Sequence, residues 1–262
     1  MIKILLSGCN GKMGQVITRL AQQNTDLEIV AGYDINDSIK NQYPVFTNIG
    51  NCNIHVDAII DFSNPAALDN LLEYAVSKKI PLVMATTGLS DLHMKKLKEA
   101  SGFIPVFQSA NMSLGVNLLI DLVKKASKLL EGYFDIEIIE KHHNQKLDAP
   151  SGTALAIADA INTVIGQKQE YVYDRHARRK KRSKTEIGIH AVRGGTIVGE
   201  HSVIFAGNDE IIELKHTAMS KEIFGTGAIK AALFIYNKQP GLYSMHDMIE
   251  QDNSSLTIKT SK

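Results

Sequence analysis

The chain has 262 residues, with 29 basic and 28 acidic side chains and a net charge of +1. That length is near the ceiling for one hydrophobic core and predicts one large domain or two, and 44% hydrophobic with 22% charged residues excludes global disorder. Even charge argues against a surface built for nucleic acid, two cysteines (Cys9 and Cys52) exclude a disulfide framework, and no apolar run reaches the roughly 18 residues of a membrane span. With no signal-peptide pattern at residues 1–8, the expectation is a soluble cytoplasmic protein without membrane or nucleic-acid partners.

Residues 2–6 read as a buried strand, followed by a glycine loop (8–14) and a helix to about Gln22. Strands follow at 27–33, 56–61, 81–85 and 104–108, with helices at 65–77 and 90–100. Strands separated by helical crossovers predict an α/β, Rossmann-type, doubly wound parallel sheet over residues 1–112. Beyond Met112 the rhythm changes: a long helix at 114–131, a strand at 135–140, an alanine-rich helix at 151–165. Three β-like runs, 187–192, 197–206 and 210–216, then come almost back to back, joined by Gly194-Gly195 and Gly207-Asn208. They predict a meander within a second, α+β domain (113–221) with a mixed or antiparallel open sheet. A last helix, 221–237, belongs to a segment 222–250 expected to pack back on the first domain, and 251–262 is expected to be a flexible tail.

Gly8, Gly11 and Gly14 sit between a strand and a helix, where a βαβ unit cradles a pyrophosphate: helix-start amides face the phosphates and glycine lets them approach. The spacing G-x-x-G-x-x-G is not the commoner one, so position carries the reading; the alternative is a glycine turn that binds nothing. Asp34, at the end of the second strand, suits an adenosine ribose hydroxyl. A carboxylate there repels a 2′-phosphate, and no arginine follows it, so NADH preference or dual use of NADH and NADPH is expected, with Lys12 able to offer a cation to NADPH.

The segment Glu140–Thr153 joins a strand exit, a polar loop and a helix start at Pro150-Ser151. Amides near Ser151, Gly152 and Thr153 suit a carboxylate, Lys146 adds a cation, and His142-His143 supply proton donors near neutral pH. Adjacent histidines on a strand point to opposite faces, so both need not act. No metal site is expected, because the pair lacks ligand spacing.

The loop Gly8–Gly14, the runs Asp61-Phe62-Ser63, Ala85-Thr86-Thr87-Gly88, 109–116 (SANMSLGV) and 142–153 (HHNQKLDAPSGT), then 188–195 and Gly199-Glu200-His201, resemble the 4-hydroxy-tetrahydrodipicolinate reductase family over nearly the whole chain. The resemblance implies NAD(P)H-dependent reduction of 4-hydroxy-tetrahydrodipicolinate to tetrahydrodipicolinate, with loss of water, in lysine biosynthesis via diaminopimelate. It implies His142 as proton donor, Lys146 as its catalytic partner, and His143, Ser151, Gly152 and Thr153 as holders of a small dicarboxylate. The dinucleotide would be lined by Gly8, Cys9, Asn10, Gly11, Lys12, Met13, Asp34, Ala85, Thr86, Thr87, Ser109, Ala110, Asn111 and Met112. A homotetramer built through the second domain's sheet is also implied. This chain departs from the family in Ala85 for a frequent glycine, Asn144-Gln145 in the histidine block and Lys221 for the usual arginine.

Two other readings stay open on the residues alone. The stretch 175–184 holds seven lysines and arginines, which reads as a solvated loop or an anion or nucleic-acid contact. Another two-domain dehydrogenase acting on an amino or oxo acid would share the first domain, and only 142–153 separates the two enzymes.

Overall fold

The computed structural model describes residues 1–177 and 179–251; the expected tail beyond Gln251 lies outside the described residues, as does Arg178 of the basic stretch. In chain order the first elements are β1 (Ile2–Ser7), α1 (Lys12–Gln22), β2 (Leu27–Tyr33), β3 (Val45–Phe46), β4 (Ala58–Asp61), α2 (Leu68–Lys78), β5 (Leu82–Met84), α3 (Asp91–Ala100) and β6 (Pro105–Gln108). They are followed by α4 (Leu114–Leu130), β7 (Asp135–His142), α5 (Gly152–Asn162), β8 (Glu170–Val172), β9 (Glu186–Arg193), β10 (Gly199–Ala206), β11 (Ile211–Ala218), α6 (Glu222–Ile235) and β12 (Gly241–Tyr243). Residues 245–251 are helical. The chain divides into one unit of Met1–Leu114 with the chain from Glu222 onward, and a second unit of Gly115–Lys221.

The first unit is a seven-stranded sheet in the order β12-β6-β5-β4-β1-β2-β3, and every pairing in it is parallel. Strand alternation sends Ile4, Leu6, Ile60, Val83 and Phe107 into one core with α1 and α6, and Leu5, Ile59, Leu82, Met84 and Val106 into another with α2 and α3. Both faces are therefore covered, which is why these strands read as continuous apolar runs. Two glycines let α6 settle: a Cβ at Gly225 would lie 2.8 Å from Leu20 Cδ1, and one at Gly227 would run into the Met112 carbonyl.

The second unit is a five-stranded mixed sheet ordered β11-β10-β7-β9-β8. Strand β7 is central, antiparallel to β10 and parallel to β9, while β10 and β11 form a hairpin. This corrects the expected meander: β9 and β10 are not neighbours. The connection after β9 passes over the end of β7, where the Gly194 amide donates to the His142 carbonyl and the Asn144 amide to the Gly195 carbonyl. Helices α4 and α5 cover one face through Leu119, Val123, Ile157 and Ile161 against Ile136, Ile138, Ile189, Val203 and Phe205.

Candidate functional site

In the first unit the expected cofactor residues all follow the carboxyl ends of parallel strands, where ligands of such sheets sit. Gly8 has φ +75°, and a Cβ there would lie 2.4 Å from the Phe62 carbonyl oxygen, so only glycine fits this turn. Gly14 is pressed as closely on the Gly8 carbonyl, which brings α1 down onto the loop. The N-cap of α1 is Gly11, without a side-chain cap, so the first-turn amides at Lys12 and Met13 have no acceptor within the helix. One Asp34 oxygen braces the loop, accepting from the Asn10 amide at 2.9 Å, while the other accepts from the Asn36 amide at 3.0 Å in the turn after β2.

Gly8, Asn10, Gly11 and Asp34 line one cavity of about 570 Å³, together with Asn36, Phe62, Ser63 and Asn64, which received no role from the sequence. A glycine cradle and an uncapped helix start supply amide donors, and an acidic strand end supplies an acceptor, a set that fits a dinucleotide. The other expected residues contribute differently. Cys9 turns its side chain into the core beside Gly32, and burial, with Asp34 nearby, pushes the thiol up to about 12, leaving only its backbone for a ligand. Thr86 is buried; its hydroxyl donates to Asp61 at 2.5 Å and accepts from the Ser63 amide at 2.8 Å. Burial pushes the Asp61 carboxyl up, against the hydrogen bonds of Ser63 and Thr86 that lower it. Ala85 and Met112 are buried, Thr87 and Ala110 are exposed, and Ser109 closes a turn on Asn111.

In the second unit the pattern of β7 decides which groups meet. Its buried positions are Ile136, Ile138, Glu140 and His142, one face of the strand, while Lys141 lies on the other. Glu140 is fully buried and accepts four hydrogen bonds: His142 Nδ1 at 2.7 Å, the Ser151 amide at 2.9 Å, and both Arg193 Nη atoms at 2.7 Å. Burial alone would raise its carboxyl; Arg193, His142 and the Ser151 amide outweigh that and hold it below the ordinary carboxylate range. The His142 ring meets the His201 ring edge-on at 5.2 Å, and His201 Nε2 lies 3.0 Å from Ser151 Oγ. Burial, with His142 beside it, pushes His201 down to about 4, so this ring is neutral at neutral pH.

Ser151 caps α5 as its residue type predicts, with Oγ accepting from the Ala154 amide at 3.2 Å. Gly152, the first residue of the helix, is exposed, and a Cβ there would meet nothing within 4 Å. Thr153 follows in the same open first turn. Lys146 pairs with Asp148 at 2.8 Å, which holds the Asp148 carboxyl below its ordinary range, and its amide donates to the His143 carbonyl. The chain thus brings His142, Ser151, Gly152 and Thr153 to one strand end and helix start, with His143 and Lys146 in the loop between. Sequence reasoning passed over Glu140, Arg193 and His201; the alternating run Asp135–His142, which puts a carboxylate among isoleucines, was the available signal for the first.

The basic stretch 175–184 is partly spent inside the unit. Arg175 binds Glu186 and Glu137, and Arg182 binds Asp135, Glu137 and three backbone carbonyls, those of Ile136, Ser183 and Glu186. Arg179, Lys180, Lys181 and Lys184 are exposed.

Comparison with known proteins matches both halves. The family model described as dihydrodipicolinate reductase, N-terminus, covers residues 2–112, and that described as dihydrodipicolinate reductase, C-terminus, covers residues 115–249. The 4-hydroxy-tetrahydrodipicolinate reductase of Caldanaerobacter subterraneus subsp. tengcongensis is 55% identical over 96% of this chain and 99% of its own. That of Clostridium tetani is 51% identical over 95% and 97%. The dipicolinate-bound dihydrodipicolinate reductase of Paenisporosarcina sp. TG-14 superposes with a TM-score of 0.77 at 26% identity, covering 93% of this chain and 97% of that one. Matched over both halves and nearly end to end, the chain belongs to the dihydrodipicolinate reductase family.

Proposed function

We propose that the protein reduces 4-hydroxy-tetrahydrodipicolinate to tetrahydrodipicolinate with NADH or NADPH, in lysine biosynthesis via diaminopimelate. The carrying observation is the arrangement at residues 140–153, where an imidazole and an open helix start are tied to one buried carboxylate. Residues 1–112, completed by 222–250, serve the dinucleotide; residues 113–221 serve the dicarboxylate and assembly.

When bound, the reduced nicotinamide supplies a hydride to the unsaturated ring. The protein then has three tasks: hold two carboxylates, deliver one proton and assist departure of the 4-hydroxyl as water. We assign proton delivery to His142 with Lys146 as its partner, and carboxylate binding to His143 and to Gly152 and Thr153 at the start of α5, where amide donors and the helix dipole favour an anion; Ser151, its amide taken by Glu140, contributes by holding that start in place. With Nδ1 on Glu140, His142 has Nε2 as the atom that gives up the proton. In sum, substrate, reduced cofactor and one proton become tetrahydrodipicolinate, oxidised cofactor and water. The pyrophosphate belongs to Gly8, Cys9, Asn10, Gly11, Lys12 and Met13, the ribose to Asp34, and Ala85–Thr87 with Ser109–Met112 line the rest. The test is loss of reduced-nicotinamide absorbance with the product of dihydrodipicolinate synthase as substrate. Turnover is expected with wild type and a strong fall in kcat in His142→Ala and Lys146→Ala with NADH binding kept; no turnover with either cofactor overturns the activity.

Asp34 supports NADH preference or dual use. Its carboxylate lines the cavity and the following residues, Ile35 and Asn36, carry no cation. Comparing kcat/KM for NADH and NADPH decides it, and a strong preference for NADPH overturns the reading. The protein works in the cytoplasm, in keeping with two free, buried cysteines. It assembles as a homotetramer through the sheet of the second unit, whose eight-residue edge strand β11 exposes Ile211 and Ile212; light scattering checks the mass.

A further inference from the structure

We propose that Glu140 is the positioning residue of the substrate unit: one buried carboxylate sets the tautomer of His142, the start of α5 and the loop that carries Lys146. The inference rests on the site reading above and deepens it, turning the buried carboxylate from a neighbour of His142 into the group that positions the whole site.

Each of the three links is a separate contact. Through Oε2, Glu140 takes His142 Nδ1 at 2.7 Å, and a carboxylate can only accept, so Nδ1 must carry the hydrogen. That tautomer leaves Nε2 as the atom that exchanges a proton, before and after delivery. Through Oε1 it takes the Ser151 amide, which removes one donor of the α5 start from competition and fixes where the remaining ones point. Through both oxygens it takes the Arg193 fork, a bidentate geometry with little freedom. Arg193 Nη2 then reaches the Asp148 carbonyl at 2.6 Å, and Asp148 holds Lys146 through its side chain at 2.8 Å. The three links come from β7, from the start of α5 and from the end of β9, so only a carboxylate at this buried position joins them. All four acceptor sites of the carboxylate are used, and none is left for substrate.

Glu140→Gln keeps the shape but cannot accept from all four donors, because its amide nitrogen only donates. The expected results are a kcat lower by about 10²-fold or more, a KM for NADH within about twofold of wild type, and loss of the Nδ1–H tautomer of His142 in imidazole ¹⁵N spectra. A merely structural role would not move the tautomer while leaving NADH binding alone. A folded Glu140→Gln enzyme that keeps wild-type kcat or the Nδ1–H tautomer overturns the proposal. If that variant does not fold, Arg193→Lys takes its place: it keeps the charge but loses the fork and the Asp148 contact. A lower kcat and a higher KM for the dicarboxylate are then expected, and wild-type values of both overturn the proposal. His142→Ala separates the two levels. Full activity in that variant overturns the assignment of His142 itself, whereas a defect there beside an unaffected Glu140→Gln overturns only the role of Glu140.

Discussion

Gly199 stands where a side chain would cover Nε2 of His142, the nitrogen proposed to deliver the proton. A Cβ there comes to 3.1 Å from Nε2, so the ring would have to give by a few tenths of an ångström, and His142 is already buried. Gly199→Ala is therefore expected to lower kcat by about tenfold or more while leaving the Glu140 hydrogen bond and the NADH Kd unchanged; steady-state kinetics with a fluorescence titration of NADH checks it. Gly8 shows the other use of a missing side chain, since its positive φ and its 2.4 Å approach to Phe62 exclude any Cβ. Glycines at such places are legible in a sequence, because a strand before and a helix after leave few reasons for three of them. The direction of a neighbouring side chain is not. Cys9 lies inside the loop, yet its thiol points into the core, and nothing in the local sequence distinguishes that from a thiol facing the ligand. Glu140 was missed for the opposite reason: a glutamate in a strand ordinarily reads as solvent-facing, and its burial becomes tolerable through His142 together with Arg193 and Ser151, partners 53 and 11 residues away.

At the scale of elements, parallel strands with helical crossovers leave a pattern of period and spacing, and β1, β2, β5 and β6 were readable from it. Short strands such as β3, β8 and β12 have two or three residues each and, unlike β5, lie in no five-residue apolar run that would mark them. The meander failed because adjacency in sequence was taken for adjacency in space, whereas β7, laid down earlier, occupies the place between β9 and β10. The insertion has an electrostatic signature in Glu200, which pairs with Lys141 of β7 and Lys215 of β11. Those two ammonium groups hold its carboxyl at about 2, against an ordinary value of 4.5. A depressed carboxyl stabilises the fold above its unfolded value, and that contribution is lost as pH falls from 4.5 through about 2. Thermal melts across this window are expected to show a steeper loss of Tm in wild type than in Glu200→Gln. The glycines of α6 make a second prediction: Gly227→Ala must push the helix off the Met112 carbonyl. It is expected to cost about 1–3 kcal/mol, measured by urea unfolding.

At the scale of the whole molecule, the near-zero net charge conceals how the work is divided. The glycine cradle and Asp34 belong to a unit with two cores of its own, one on each face of its sheet, while His142, Lys146 and the α5 start belong to another with a third core. Effects of substitutions in sites that share no partner add, so binding by one set of residues should be insensitive to changes in the other. Gly8→Ala is expected to weaken NADH by tenfold or more and to leave the affinity for dipicolinate, taken as a dicarboxylate probe, within about twofold of wild type. Lys146→Ala is expected to do the reverse. Calorimetric titration of each ligand alone into each variant measures all four affinities. A Gly8→Ala protein that loses dipicolinate as severely as NADH would mean that the glycine loop maintains the substrate unit, and the division of labour would fail. On the proposed reading the two ligands differ in what they ask of the chain: amide donors on a close-packed turn for a pyrophosphate, and a cation with a helix start for a pair of carboxylates.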